Sequence, residues 1–193
     1  MVKYIFLHCL GQTSSSWDDT IQAMDKDWEI LSPNLSDWIC KEKCSYASLY
    51  SEFEKYCNQF QDTICLVGLS LGGILALQYS IEHPERVKSL VLIGTQYNMP
   101  KGLLKLQNMI FQKSDFISLC KSMMELDFSH RLKYIFCKVL VLCGDKDKAN
   151  KSASLQLAEL IPNSKIKIIP NAGHEINENC PYELAREIES FIK

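Results

Sequence analysis

Short apolar runs alternate with longer stretches of helical periodicity along the chain. Six runs have the length of strands and most are bounded by glycine, proline or polar residues; they cover residues 2–7, 29–32, 63–68, 89–94, 138–144 and 165–170. Runs such as ICLVG, LVLIG and VLVLCG are apolar at nearly every position, which is typical of parallel strands covered on both faces. The pattern therefore predicts an α/β fold with a mostly parallel six-stranded sheet flanked by helices.

Four helices are predicted between these strands, over residues 46–60, 71–83, 149–161 and 181–192. Pro84 ends the second helix, because the residue before a proline is pushed out of the α region. Pro181 fits the first turn of the last helix, where its missing N–H is not needed.

Residues 95–136 interrupt the alternation, since about 40 residues between the fourth and fifth strands carry helical periodicity and no strand. Two apolar clusters lie in this segment, at residues 103–111 and 116–126. They are interpreted either as two amphipathic helices packed on the core or as a short helical lid over a pocket.

Composition narrows the possible classes of protein. A chain of 193 residues with 47% hydrophobic and 23% charged residues is expected to form one domain over residues 1–193, with 95–136 as a lid insertion. The formal charge is −2 and basic residues do not cluster, so nucleic-acid binding is not expected. No apolar run reaches the roughly 18 residues of a membrane span, and the chain opens directly on VKYIFLHCLG. We therefore expect a cytoplasmic protein that does not bind a membrane.

Nine cysteines raise the question of a metal site. The only close pair, Cys40 and Cys44, has no second Cys/His pair at ligand spacing nearby, so no metal site is expected. A cysteine within an apolar stretch usually serves as a small buried hydrophobe. This applies to Cys57, Cys65, Cys120, Cys137 and Cys143.

The segment Gly68-Leu69-Ser70-Leu71-Gly72 matches G-x-S-x-G, directly after an apolar run and directly before a helical pattern. In that setting a sharp turn lifts the serine hydroxyl out of the sheet edge, and the small flanking residues avoid the neighbouring backbone. The following helix directs its positive end and the Leu71 amide toward the space beside the hydroxyl. Ser70 is therefore the predicted nucleophile.

A serine nucleophile needs a base that is oriented by a third group. His174 follows the last predicted strand at the functional edge of the sheet, whereas His83 and His130 are interpreted as surface residues. Asp145 and Asp147 both follow the fifth strand and compete for the role of the acid; Asp147 is favoured, because Asp145 lies closer to the strand exit and can cap the turn. The chain order serine, aspartate, histidine is that of one class of hydrolases.

These motifs together resemble the α/β-hydrolase superfamily, in its small single-domain branch with a short helical lid and without a cofactor. The likeness also includes Phe6-Leu7-His8-Cys9-Leu10-Gly11, which is similar to the family's oxyanion loop, and the Gly173-His174 pair with Pro181 seven residues later. The resemblance implies oxyanion donors at the backbone amides of Leu10 and Leu71, and it independently favours Asp147 as the acid.

The chain departs from the family pattern at several points. Cys9 stands where the oxyanion loop usually has glycine, which puts the geometry of the hole in question and raises the alternative of a reactive thiol beside the site. The N-terminal antiparallel hairpin of the family is missing, and the lid is short. The oxyanion loop and the lid are expected to supply the substrate pocket, through His8, Cys9, Met109 and Met123.

The sequence thus predicts a serine hydrolase that cleaves a small ester or related acyl substrate through an acyl-enzyme, with a small molecule as its partner and no metal or organic cofactor. Two alternatives stay open: a carbon-carbon bond hydrolase or lyase with the same triad, and a ligand-binding protein that has lost turnover. The oligomeric state is open as well, because apolar lid residues can cover either a pocket or a partner subunit.

Overall fold

The computed structural model describes residues 2–39, 44–99 and 114–193. Its centre is a six-stranded sheet in the order β2-β1-β3-β4-β5-β6, and every neighbouring pair is parallel. The predicted six-stranded α/β architecture is confirmed, with strand ends that agree to within two residues. The strands are β1 (Lys3–Leu7), β2 (Glu29–Leu31), β3 (Ile64–Leu69), β4 (Val87–Ile93), β5 (Lys138–Gly144) and β6 (Ser164–Ile169).

Seven α-helices flank this sheet in the described part of the chain. The four predicted ones are present. A fifth, α4, falls in the segment that was interpreted as amphipathic helices or a lid, and α1 and α6 are further helices that the pattern does not predict. A helix of four or five residues, as in α1 and α6, is too short to show a period in the sequence. The helices are α1 (Asp18–Gln22), α2 (Tyr46–Asn58), α3 (Leu71–Glu82), α4 (Ser114–Ser122), α5 (Lys151–Leu160), α6 (Ile176–Asn179) and α7 (Pro181–Ile192).

The side chains of each central strand alternate between two apolar cores, one on each face of the sheet. Ile5 and Leu7 of β1 enter the core that is completed by α2, α3 and α5. Phe6 enters the opposite core, which is completed by α1 and α7. Because both faces are covered, the strands are apolar at nearly every position, as the sequence pattern predicts.

The strand order reverses beside β1, since the chain runs outward to β2 and then crosses to β3 on the other side. In open parallel sheets a crevice forms at such a reversal, at the carboxyl ends of the strands. The loops that follow β1, β3, β5 and β6 leave the sheet from this same edge. The topology therefore collects the predicted functional residues in one place.

The described ends of the segment between β4 and β5 pair with each other. Its first apolar cluster, including Met109, lies outside the described residues. The second cluster overlaps α4, which ends at Ser122, before the last apolar residues of the cluster. The chain then pairs antiparallel with the segment after β4, through a bridge between Asn98 and Asp127 and a hydrogen bond from Phe128 N to Tyr97 O of 2.8 Å.

The cysteine prediction holds where it can be compared. Cys57, Cys65, Cys120 and Cys143 are buried, Cys137 is half-buried, and Cys40 lies outside the described residues.

None of the helices described in the structure has both the length and the apolar character needed to cross a bilayer.

Helix α3 packs closely against β1 at Gly72. A Cβ atom added at Gly72 would lie 2.2 Å from the Leu7 carbonyl oxygen, so Gly72→Ala forces the helix away from the strand. We expect a loss of about 1–3 kcal/mol in the free energy of unfolding, measured by urea denaturation. Gly173→Ala is the control, because a Cβ there meets nothing within 4 Å; equal losses in the two variants would contradict the packing argument.

Candidate active site

Ser70 occupies the sharp turn between β3 and α3. Its φ of 53° and ψ of −109° place it in a region that residues with a side chain rarely adopt. The turn is held by its neighbours, since Ser70 N donates a 2.8 Å hydrogen bond to Ile93 O at the end of β4. The strained turn is the one that the G-x-S-x-G segment predicts, and it brings the serine to the edge of the sheet.

Asp147 and His174 approach each other from the loops after β5 and β6. His174 Nδ1 lies 2.7 Å from Asp147 Oδ2, and the Asp147 side chain is only 5% exposed while that of His174 is 34% exposed. An ionised carboxylate only accepts hydrogen bonds, so Nδ1 carries the proton and donates it. The other ring nitrogen, Nε2, is thereby left as the free base.

Several opposing influences act on the Asp147 carboxyl. Burial by itself raises the pKa of Asp147, while the hydrogen bond and charge of His174 and the hydrogen bonds from Asn150 lower it. The lowering influences prevail, so the pKa of Asp147 lies below its usual value. The carboxylate therefore stays ionised at neutral pH despite its burial.

The other candidate acid and bases lie elsewhere. Asp145 is exposed at the start of the loop after β5, and its backbone N–H donates to Ile169 O at 3.0 Å. His83 is half-buried and its Nε2 lies 2.7 Å from Glu54 Oε1, while His130 is exposed. Of the two aspartates and three histidines weighed in the sequence, the structure brings together only Asp147 and His174.

Ser70, Asp147 and His174 all line one cavity of about 190 Å³. Within the described residues, no hydrogen bond joins the Ser70 hydroxyl to the His174 ring. Such bonds are often long or poorly aligned in the absence of substrate and tighten when it binds. The remaining walls are mostly apolar and include Leu10, Leu71, Ile74, Met99, Met123 and Ala149.

The two residues implied as oxyanion donors, Leu10 and Leu71, lie at the same cavity. Leu10 follows β1 and Leu71 is the first residue of α3, and both line the cavity with Ser70. Neither amide N–H has a hydrogen-bond acceptor among the residues that the structure describes. Leu71 also lies at the N-terminal end of α3, where the helix dipole favours negative charge.

His8 and Cys9 differ from the prediction, because they do not line the cavity that contains Ser70. They border a smaller one of about 30 Å³, which is separated from the first by Leu10 and Leu71. Leu10 therefore faces the cavity while its two predecessors pack beneath it. Of the predicted pocket residues, Met123 lines the cavity and Met109 lies outside the described residues.

His8 braces the loop after β1. The Leu35 N–H donates to His8 Nε2 at 3.0 Å, so the ring proton is on Nδ1, which donates to Cys9 O at 2.9 Å. Burial lowers the pKa of His8, and its hydrogen bond to the Cys9 carbonyl only partly offsets this. His8 is thus a neutral bridge between two loops.

The cysteine in this loop is compatible with its backbone. The left-handed residue of the turn is Gly11, with a φ of 90°, and Cys9 is not among the described residues with positive φ. Burial, assisted by the charges of Glu175 and Glu178, raises the pKa of the Cys9 thiol to about 12. Cys9 therefore remains protonated, which argues against the alternative of a reactive thiol.

Three residues that the sequence reasoning missed surround the Asp147–His174 pair. Gly94 ends β4 with a φ of 52°, and a Cβ there would lie 3.0 Å from His174 Nδ1 and 3.1 Å from Asp147 Oδ2. Asn150 is buried against the carboxylate and Gln96 is buried against Asn150, and both line the cavity. The signal for Gly94 was its place at a strand end on the functional edge; Asn150 falls at the start of the helix predicted over residues 149–161, where no local pattern distinguishes it.

A protein-family model described as "alpha/beta hydrolase fold" matches residues 5–117 of the chain, which is more than half of its length. The match includes the loop after β1 and the turn at Ser70.

Three curated relatives are similar to the chain. The alpha/beta hydrolase domain-containing protein VTE7 of Arabidopsis thaliana is 22% identical over 97% of this chain and 73% of its own length. The pimeloyl-[acyl-carrier protein] methyl ester esterase of Nitrosomonas europaea is 25% identical, over 47% of this chain and 36% of the esterase. A putative 2-succinyl-6-hydroxy-2,4-cyclohexadiene-1-carboxylate synthase of Bacillus subtilis is 24% identical, over 66% of this chain and 65% of the synthase.

Solved structures show the same fold over nearly the whole chain. A carboxylesterase of Nitrososphaera gargenis matches with a TM-score of 0.86 and 15% identity, covering 99% of this chain and 89% of its own. MenH from S. aureus matches with a TM-score of 0.80 and 19% identity, covering 99% of this chain and 93% of its own. At these identities the likeness shows the fold.

The buried neutral His8 predicts a pH dependence of stability. Its pKa in the folded protein is below the value of about 6.5 expected when unfolded, so the unfolded chain binds the proton more readily. The contribution of His8 to stability is therefore present above about pH 6.5 and is lost as the pH falls. The measurement is urea unfolding of the native protein and His8→Gln between pH 7.5 and 5.

The variant cannot titrate at residue 8, while the other histidines are the same in both proteins. We expect the free energy of unfolding of the native protein to fall more on acidification than that of His8→Gln. The difference between the two free energies therefore becomes smaller as the pH falls. Parallel pH slopes for the two proteins would show that the His8 ring titrates normally in the fold.

Proposed function

Because the chain belongs to the alpha/beta hydrolase fold family, we propose that it is a serine hydrolase that cleaves a small ester or related acyl compound through an acyl-enzyme. Its nucleophile is Ser70, its general base is His174 and its orienting acid is Asp147. The substrate is a small molecule.

The observation that carries the proposal is the convergence of three distant loops on one cavity. Ser70 stands on a strained turn, and His174 is held in one tautomer by a buried carboxylate 2.7 Å away. A structural histidine would use both ring nitrogens within the fold, as His8 does. His174 leaves Nε2 without such a bond in the described chain, in a cavity that also holds a serine hydroxyl.

Acylation begins when His174 Nε2 takes the proton of the Ser70 hydroxyl as its oxygen attacks the substrate carbonyl. The imidazole becomes a cation, and the Asp147 carboxylate stabilises it without taking the proton. The cation then protonates the leaving alcohol as the bond between the carbonyl carbon and the alcohol oxygen breaks. The products of this half-reaction are the free alcohol and an ester on Ser70.

The amides of Leu10 and Leu71 stabilise the oxyanion of the tetrahedral intermediate. Neither N–H has another acceptor in the described chain, so both are available when charge develops on the oxygen. In deacylation His174 removes a proton from water as the water attacks the ester. The Ser70 hydroxyl is then regenerated and the acid product leaves.

The walls of the cavity favour an uncharged, short acyl group. Its volume of about 190 Å³ is below the range of about 300–1,000 Å³ that is usual for drug-sized ligands. Among the described lining residues there is no Lys or Arg, and the polar residues beyond the proposed triad are the neutral Gln96 and Asn150. A substrate carboxylate would find no cation among these described residues.

A carbon-carbon bond hydrolase or lyase is the second candidate, and the similarity to the Bacillus subtilis synthase supports it. The lack of a cation among the described lining residues disfavours this candidate only for substrates that carry a carboxylate in this position.

Covalent labelling tests the nucleophile. A fluorophosphonate probe should label the native protein at Ser70, because the probe captures a serine activated by its base. Ser70→Ala should not be labelled, and mass spectrometry of the labelled peptide should locate the adduct at residue 70. A native protein that is folded and remains unlabelled would point to the ligand-binding alternative.

A series of p-nitrophenyl esters of increasing acyl length tests the substrate class. We expect turnover to be highest for short chains and to fall once the acyl group exceeds the cavity. Labelling at Ser70 without turnover of any ester in the series would favour the carbon-carbon candidate instead.

Matched substitutions test the assignment of the acid. Asp147→Asn should lower kcat by on the order of 10³–10⁴-fold, because the amide no longer enforces the Nδ1–H tautomer of His174. Asp145→Asn, two residues away and exposed, should leave kcat unchanged. Steady-state kinetics on the best ester measure both, and the reverse order of effects would assign the role to Asp145.

A further inference from the structure

The Asn150 side chain is committed to the Asp147 carboxylate. Its Nδ2 lies 2.9 Å from Asp147 Oδ1 and 2.9 Å from Oδ2, and its backbone N–H donates to Oδ1 at 3.3 Å. Asn150 occupies the N-cap position of α5, yet its side chain makes no capping hydrogen bond. The residue is 6% exposed, so a buried polar side chain in a capping position is used for another purpose.

The orientation of the Asn150 amide is determined by its partners. A carboxylate accepts hydrogen bonds and cannot donate them, so the NH₂ group must face Asp147 and the carbonyl must face away. Nδ2 is also 3.1 Å from His174 Nδ1, but that nitrogen already carries the proton donated to Asp147. The short distance between these two nitrogens is therefore a close approach and not a hydrogen bond, because both nitrogens are donors.

Gln96 binds the carbonyl end of the Asn150 amide. Gln96 Nε2 donates to Asn150 Oδ1 at 2.9 Å and to the Ala149 carbonyl oxygen at 3.3 Å. Gln96 is also 6% exposed and lies just beyond β4, 54 residues before Asn150. The chain of donors thus runs in one direction, from Gln96 to Asn150 to Asp147.

We propose that Asn150, oriented by Gln96, is a positioning residue that holds the Asp147 carboxylate in the plane and rotation needed to orient His174. The inference rests on the proposed function, in which Asp147 and His174 serve Ser70. Asn150 acts through Asp147 and is not itself required to touch the reacting atoms.

The physical role follows from the contacts. A carboxylate held only by His174 is free to rotate about its terminal bond, which moves Oδ2 away from Nδ1. Asn150 contacts both oxygens, so rotation breaks two hydrogen bonds at once in a buried setting where no replacement is available. The imidazole is then kept in one orientation toward Ser70.

The first test replaces Asn150 with leucine, which has similar size and no donor. We expect kcat on the best ester to fall by about 10- to 100-fold, the loss associated with a hydrogen bond to a charged group, while KM changes less than kcat. The helix α5 should remain folded, because the lost side chain does not cap it. Thermal unfolding checks this.

A spectroscopic measurement reports on the pair directly. The proton shared by His174 Nδ1 and Asp147 should give a far-downfield proton NMR signal in the native protein, and Asp147→Asn should abolish it. Asn150→Leu should shift or broaden this signal. Ser154→Ala, a buried position one turn along α5 and away from the cavity, should leave both the signal and kcat unchanged.

Gln96 offers a second test that distinguishes positioning from packing. Gln96→Glu keeps the shape but places an acceptor against Asn150 Oδ1, which favours an inverted Asn150 amide. Gln96→Leu only removes the donor. Positioning predicts the larger loss of kcat for glutamate, whereas a packing role predicts the larger loss for leucine.

The outcomes separate the inference from the proposed function. Native kcat and a native downfield signal in Asn150→Leu would overturn the inference while leaving the hydrolase intact. If no ester is turned over even by the native protein, a signal that is present there and altered in Asn150→Leu still supports the positioning role. A larger effect of Gln96→Leu than of Gln96→Glu would overturn it.

Discussion

A carboxylate loses its hydration when it is buried, and the proposed site depends on how Asp147 is compensated for that loss. The compensation comes from the His174 ring and from the side chain and backbone of Asn150. Because these donors outweigh burial, the pKa of Asp147 is lowered and the group remains charged. The tautomer of His174, and with it the availability of Nε2, depends on that charge.

Close approach of backbone to side chain is the second constraint on the site. Gly94 has no side chain, and this leaves room for both His174 and Asp147 against the end of β4. Ser70 is held at positive φ by the ends of β3 and α3 and by its bond to Ile93. The same edge of the sheet therefore carries a strained serine and a tightly packed histidine.

The sequence predicted the strands, the larger helices and the turn at Ser70, because each is encoded by a local pattern of apolar residues or glycines. His174 and Asp147 were found from their position after strands, and the structure brings these two residues together. His8 and Cys9 were expected in the pocket and instead pack beneath it, since position in a loop does not reveal which way a side chain points. Asn150 lay within the helix predicted over residues 149–161, and nothing in the sequence singles it out.

The sequence by itself determined the α/β architecture and the order in which the proposed serine, aspartate and histidine leave the sheet. Local backbone preference and the apolar pattern of each strand are sufficient for both. The tertiary structure decided which aspartate is buried and how the amide of Asn150 is oriented. These depend on contacts between segments 24 to 54 residues apart, from Asn150 to His174 and to Gln96, which no local spacing encodes.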